Sequence, residues 1–190
     1  EEQEPELSPE DFQRAMIVAP YGLKPLQRMD AQQYRFFIRD TFDRLKRKHT
    51  GDSLRMLPVC DDRGTLYANL RPITADYRET IPGCAALLAR WRNENMTGLS
   101  AEPFTATQEG TEKWLDGIVI GREDRMLFLI VTPGGVPLGH IGYSCFDYGA
   151  ARCDVDAVLR GEKHGYPGIM TFALRALIAW GLAELRLASI

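Results

Sequence analysis

The sequence predicts an α/β chain of the α+β type: a mixed, mostly antiparallel central sheet flanked by helices, with a helical extension at the N-terminus. Three observations predict it. Residues 153–180 read as a strand, a glycine-containing turn and an apolar helix that meets no Gly or Pro between Ile169 and Trp180. Residues 125–132 and 138–146 are apolar runs on either side of Pro133-Gly134-Gly135-Val136-Pro137, a tight turn that returns the second run antiparallel to the first. From Leu70 onward the elements come in the order strand, helix, helix, strand, strand, strand, helix, strand.

Residues 1–10 are acidic and contain proline, as a tail does, and Ser8-Pro9-Glu10-Asp11 has the form of a helix start. Phe12, Met16 and Ile17 would face inward and Pro20 would end that helix. A second helix is predicted from Asp30 as N-cap to about Lys48, with Gly51 beyond it. Tyr34, Phe37, Ile38, Phe42 and Leu45 share one face, and the basic last turn (Arg44 to His49) is expected to complement the helix dipole on a solvated face. Residues 54–60 and 65–70 flank Asp61-Asp62-Arg63-Gly64 as a hairpin. Residues 1–66 are thus read as an extension of unknown role, and 67–190 as the main domain.

Within that domain, residues 70–74 form a strand and residues 84–93 a helix in which Trp91 packs with Leu87 and Leu88. Residues 97–110 are a polar loop, and 111–120 a short helix with Trp114 and Leu115 inside. The strand 125–132, its partner 138–146 and the strand 153–159 come next. Residues 185–190 read as a further strand after the apolar helix.

Composition narrows the class. The 190 residues are 45% hydrophobic and 26% charged, as in a soluble globular protein. A net charge of −3 argues against nucleic acid as the main partner. Cys60, Cys84, Cys145 and Cys153 contain no C-x-x-C pair, which points to reduced thiols rather than zinc or a disulfide framework. No apolar run has the length of a membrane span and no signal peptide is visible, so a cytoplasmic location is expected.

The turn carries the functional signal. Residues 160–168 hold Gly161, Gly165, Gly168 and Pro167 immediately before the apolar helix. Such a turn points the first free N–H groups of a helix, and the positive end of its dipole, at whatever lies in front: an anion site, usually for phosphate. From the residues alone, an ordinary strand–turn–helix unit without a ligand remains the alternative.

This stretch resembles the acyl-CoA-binding motif of the GNAT acetyltransferase superfamily, in the branch of the ribosomal-protein N-acetyltransferases. Lys163-His164-Gly165-Tyr166-Pro167-Gly168 stands where the family has Gln/Arg-x-x-Gly-x-Gly/Ala, with the glycines three apart rather than two. Leu88-Ala89-Arg90-Trp91-Arg92-Asn93 and the Gly-x-Ile-Gly unit at 139–142 are similar to other segments of that branch, and the resemblance covers about 69–190. The family continues past the last strand, so the domain is expected to be truncated on its C-terminal side. A tyrosine general acid would lie beyond Ile190.

The resemblance implies direct attack of a primary amine on acetyl-CoA, without a metal. It assigns the backbone of Ala157, Val158 and Leu159 to the acetyl carbonyl and pantetheine. The N–H groups of His164, Gly165, Tyr166, Gly168, Ile169 and Met170 go to the pyrophosphate, and Arg160 to a CoA phosphate. Asp154 and Asp156 are the candidate bases near the start of the strand, where alternation sends both to one side. Trp91, Arg92, Asn93 and Tyr143 are assigned to the acceptor, and His140 is expected mainly as a satisfied core residue. Ser144 and Cys145 lack a His–acid partner, so no covalent intermediate is expected. The acceptor would be a protein N-terminus or, since two carboxylates can hold a cation, a small-molecule amine. A homodimer is compatible with the apolar-faced helices. The alternative is a non-catalytic CoA-binding or interaction module of a larger protein.

Overall fold

The computed structural model describes residues 29–48, 54–95 and 105–190. The helix predicted at 8–20, Gly51 and most of the loop 97–110 lie outside them. Helix α1, Ala31–Lys46, starts at Asp30 as predicted. Asp30 Oδ1 accepts the Gln33 N–H at 2.8 Å and Gln33 Oε1 accepts the Asp30 N–H at 3.0 Å, a reciprocal capping box. The basic last turn departs from expectation at Lys46, which is only 4% exposed. Its ammonium donates to the Arg122 carbonyl at 2.6 Å, and burial pulls its pKa down to about 8.

Five strands form one antiparallel sheet in the order β1 (Leu57–Cys60), β2 (Leu66–Pro72), β3 (Met126–Val131), β4 (Pro137–Asp147) and β5 (Arg152–Arg160). The predicted hairpin at 61–64 closes because Asp61 Oδ1 accepts the N–H groups of Arg63 and Thr65, both at 2.9 Å. Its second arm and the strand expected at 70–74 are a single strand, β2. Strand β1 therefore shares a sheet, and helix α1 a core, with elements of residues 67–190.

Alternation along β3 divides the core. Met126, Phe128 and Ile130 point to one face, where α1 packs beside α5 (Ile169–Ala183) through Tyr34, Ile38, Phe42, Leu177 and Trp180. Leu127, Leu129 and Val131 point to the other, covered by α2 (Tyr77–Thr80), α3 (Cys84–Glu94) and the segment after α4 (Gln108–Trp114). That segment differs from the predicted helix. It starts earlier, with Thr107 capping Gly110, and widens into a π-helical turn over Leu115–Ile120, where the Gly121 N–H reaches Asp116 O.

The strand predicted at 185–190 is reduced to one parallel bridge, Arg152 to Ser189. Arg186 at φ +57° interrupts the extended backbone there. No helix among the described residues is long and apolar enough to cross a membrane.

Candidate active site

Strand β5 and the turn behind it bring together most of the residues that the sequence singles out. The register places Asp154 opposite Ser144 and Asp156 opposite Gly142, on the sheet face that carries α3 and α4. Asp154 is exposed. Asp156 is half-buried and committed: its carboxylate pairs with Arg125 and its Oδ1 accepts the Ala157 N–H at 2.6 Å.

Past Asp156 the ladder slips. Gly142 faces Asp156 while His140 faces Leu159, so Ile141 alone stands opposite both Ala157 and Val158. This is a β-bulge, and the backbone at Ala157 turns left-handed within it, at φ +51°. The Ala157 carbonyl accepts from His140 Nδ1 at 2.6 Å. Val158, 46% exposed, stands at the surface of the bulge.

Beyond β5 the chain passes under Trp91. A Cβ on Gly161 would lie 2.0 Å from the indole, so only glycine lets the strand cross it. The indole Nε1 donates to Glu162 at 3.0 Å and Arg90 adds a bond of 2.7 Å, which together hold the Glu162 carboxyl below its usual range. Arg160 then shapes the turn, with Nε donating to Glu162 O at 2.9 Å and Nη2 to Gly165 O at 2.6 Å.

Gly165, Tyr166 and Gly168 all take positive φ, at +69°, +49° and +75°. Among the described residues no hydrogen bond takes the N–H groups of His164, Gly165, Tyr166 or Gly168. Among the described residues no side chain caps α5 at Gly168. Ile169 and Met170 supply the first helical N–H groups, the former making one 3.3 Å turn bond to Tyr166 O. N–H groups without partners at an uncapped helix start are donors available to an anion. Tyr67 on β2 steadies it, donating to Pro167 O at 3.2 Å and packing edge-on against Tyr166 and Phe172.

The acceptor-side residues separate. Arg92 lies over the Trp114 ring at 5.2 Å and lines a cleft of about 240 Å³ with Thr105, Thr107, Thr111 and Trp114. Arg125 approaches the same ring at 5.9 Å, which places the cleft beside the Asp156 pair. Asn93 braces the wall of that cleft: its amide clamps Ala106, another lining residue, N–H and carbonyl both, at 2.8 and 2.9 Å. Trp91 is wholly buried beneath Gly161. Tyr143 lies on the opposite face, fully buried, stacked on Trp180 and donating to Leu177 O at 2.6 Å, so it does not reach the Asp154 side of the sheet. Sequence reasoning missed Arg125, Glu162 and Trp114. Among the described residues no cluster of His, Cys, Asp and Glu is arranged to hold a metal.

Similarity to known proteins decides the family. The model of the acetyltransferase (GNAT) domain matches residues 69–190. The chain belongs to the GNAT acetyltransferase domain family. The fold agrees with a GCN5-related N-acetyltransferase from Brucella melitensis, at TM-score 0.50 and 18% identity, over 69% of this chain and 56% of that one. A probable acetyltransferase of the GNAT family from Chromobacterium violaceum ATCC 12472 matches at TM-score 0.48 and 15% identity, covering 74% and 69% of the two chains. This GNAT chain thus spans little more than half of the Brucella protein. No curated protein matches it.

Proposed function

We propose that this chain transfers an acetyl group from acetyl-CoA to a primary amine by direct attack. The observation that carries the reading is the unit 153–170, in which one strand presents a bulged peptide and, directly after it, an uncapped N–H concavity. The two features suit the two ends of an acyl-CoA: a thioester carbonyl that develops negative charge, and a pyrophosphate.

In this reading the turn 163–170 binds the phosphates and β5 aligns the thioester. Asp154, the exposed carboxylate of the pair, takes the proton from the incoming ammonium, directly or through water. The amine nitrogen then bonds to the carbonyl carbon as the C–S bond breaks and CoA leaves as thiolate, and the proton shed by the acylated nitrogen passes to that thiolate, directly or through water. Asp156 serves the geometry of the bulge rather than the proton transfer, because Arg125 and the Ala157 N–H already occupy its carboxylate. The cleft at Arg92, Thr111 and Trp114 receives the acceptor, a small-molecule amine or a protein N-terminus. A cytoplasmic site of action belongs to the same proposal.

Calorimetric titration with acetyl-CoA, with desulfo-CoA and inorganic phosphate alongside, tests the donor site. Thiol release across a panel of amines tests transfer. Saturable acetyl-CoA binding with turnover that falls roughly 100-fold in Asp154→Asn, at unchanged donor affinity, is expected. Binding without turnover toward any amine would favour a CoA-binding module instead. Absence of binding would overturn both readings.

A further inference from the structure

Both backbone polar groups of Ala157 are satisfied by side chains: Asp156 Oδ1 accepts its N–H and His140 Nδ1 lies 2.6 Å from its carbonyl oxygen. A carbonyl can only accept, so Nδ1 carries the ring proton and Nε2 the lone pair. His140 is 3% exposed, its Nε2 has no hydrogen-bond partner among the described residues, and the Trp91 ring lies beside it at 6.4 Å. Burial pulls its pKa down to about 4, so the ring is neutral at pH 7 and Nδ1–H is its only donor. Arg92 favours that neutral form, while the Ala157 carbonyl and Asp156 oppose it.

The peptide joining Ala157 to Val158 is trans, since the described chain holds no cis bond. In a trans peptide the C=O and the adjoining N–H point in opposite directions. Fixing the Ala157 carbonyl therefore fixes the direction of the Val158 N–H.

We propose that His140 is a positioning residue for acyl transfer: its Nδ1–H draws the Ala157 carbonyl inward and so aims the Val158 N–H outward, at the carbonyl oxygen of the bound thioester. The proposal rests on the acetyl-transfer reading above. It assigns the ring no proton transfer and no substrate contact. Its effect is to preorganise one oxyanion donor, a contribution that removal of a single donor measures at about 100- to 1,000-fold in kcat.

Three substitutions separate positioning from packing. His140→Asn places an amide N–H close to the position of Nδ1, His140→Gln moves it to the position of Nε2, and His140→Leu keeps volume without a donor. The expected result is kcat within several-fold of wild type for Asn, and about 100-fold or more below it for Gln and Leu, with desulfo-CoA affinity unchanged throughout. If Leu fails to fold, the Asn–Gln pair decides the point, because both are amides, and the one methylene between them moves the N–H from the Nδ1 to the Nε2 position. A second readout is the Val158 amide resonance in ¹⁵N-labelled protein. It should shift differently with acetyl-CoA and with CoA in wild type and His140→Asn, and alike in His140→Gln. Equal kcat across the series, or an equal fall in all three, would overturn the proposal while leaving acetyl transfer intact. Wild type that binds no acetyl-CoA would remove the underlying reading first.

Discussion

The bulge in β5 and the turn behind it are adjacent in sequence yet shaped by different means. The backbone at Ala157 is braced across the sheet: His140, 17 residues away, holds its carbonyl, and the adjacent Asp156, itself fixed by Arg125 31 residues away, holds its N–H. The turn 161–168 is shaped mostly from within, by glycine torsions and by Arg160, whose two carbonyl acceptors lie two and five residues on. On the proposed function, the peptide that meets a developing charge is thus braced by the folded core. A concavity for phosphate needs only a local conformation and an uncapped helix. The first should respond to protonation and core packing, the second to substitution of its own glycines.

The largest expected effect is acid sensitivity of the bulge. The pKa of His140 is lowered from 6.5 to about 4 by burial, so between those values the unfolded chain binds a proton that the folded chain does not. Stability then rises with pH across that window and is lost as pH falls towards 4. At about 1.4 kcal/mol per pH unit the loss is on the order of 3 kcal/mol. Urea midpoints at pH 7 and about pH 4.5, inside that window, measure it: wild type should lose markedly more than His140→Leu, in which this proton is absent. Parallel losses would mean that the ring is protonated in the fold.

The same contrast explains what could be read in the sequence. Local signals survived: the Asp30 cap, the Asp61 turn and the glycines before α5 act through residues within a few positions of one another. Period-two alternation also placed Asp154 and Asp156 on one face, as the register shows. The bulge was not legible, because nothing near Ala157 announces that His140 will satisfy its carbonyl, or that Arg125 will hold Asp156 where it meets the N–H. That Tyr143 falls on the opposite face of the sheet from Asp154 was hidden for a related reason. β4 is buried on both faces from Leu138 to Ser144, so alternation of apolar and polar residues cannot say which side faces the cleft. The strand predicted at 185–190 failed on one torsion, the positive φ of Arg186.

Gly161 joins the two regions, and Gly161→Ala should disturb both. The added Cβ would sit 2.0 Å from a fully buried indole on α3, so backbone or helix must yield, at about 1–3 kcal/mol. The urea midpoint should fall and the tryptophan near-ultraviolet signal should weaken. In a Trp91→Leu background the same change should cost much less, a non-additivity expected of groups in direct contact. Equal costs in both backgrounds would show that the indole is not what confines the strand.

Gly165 and Gly168 allow a finer division within the turn. Both are left-handed, which costs a residue with a Cβ about 1–2 kcal/mol, as Tyr166 between them already tolerates. Among the described residues a Cβ at Gly165 meets nothing within 4 Å, whereas at Gly168 it lies 3.2 Å from the Phe172 ring. Gly165→Ala should therefore cost only the torsional part, and Gly168→Ala slightly more, unless Phe172 swings aside. Neither should alter the pH dependence set by His140, because neither touches the bulge. On the proposed function both should weaken acetyl-CoA binding more than they slow transfer at saturation, the reverse of the pattern expected at His140. If Gly168→Ala instead lowers kcat at full donor occupancy, the turn and the bulge form one mechanical unit, and the division drawn between them is wrong.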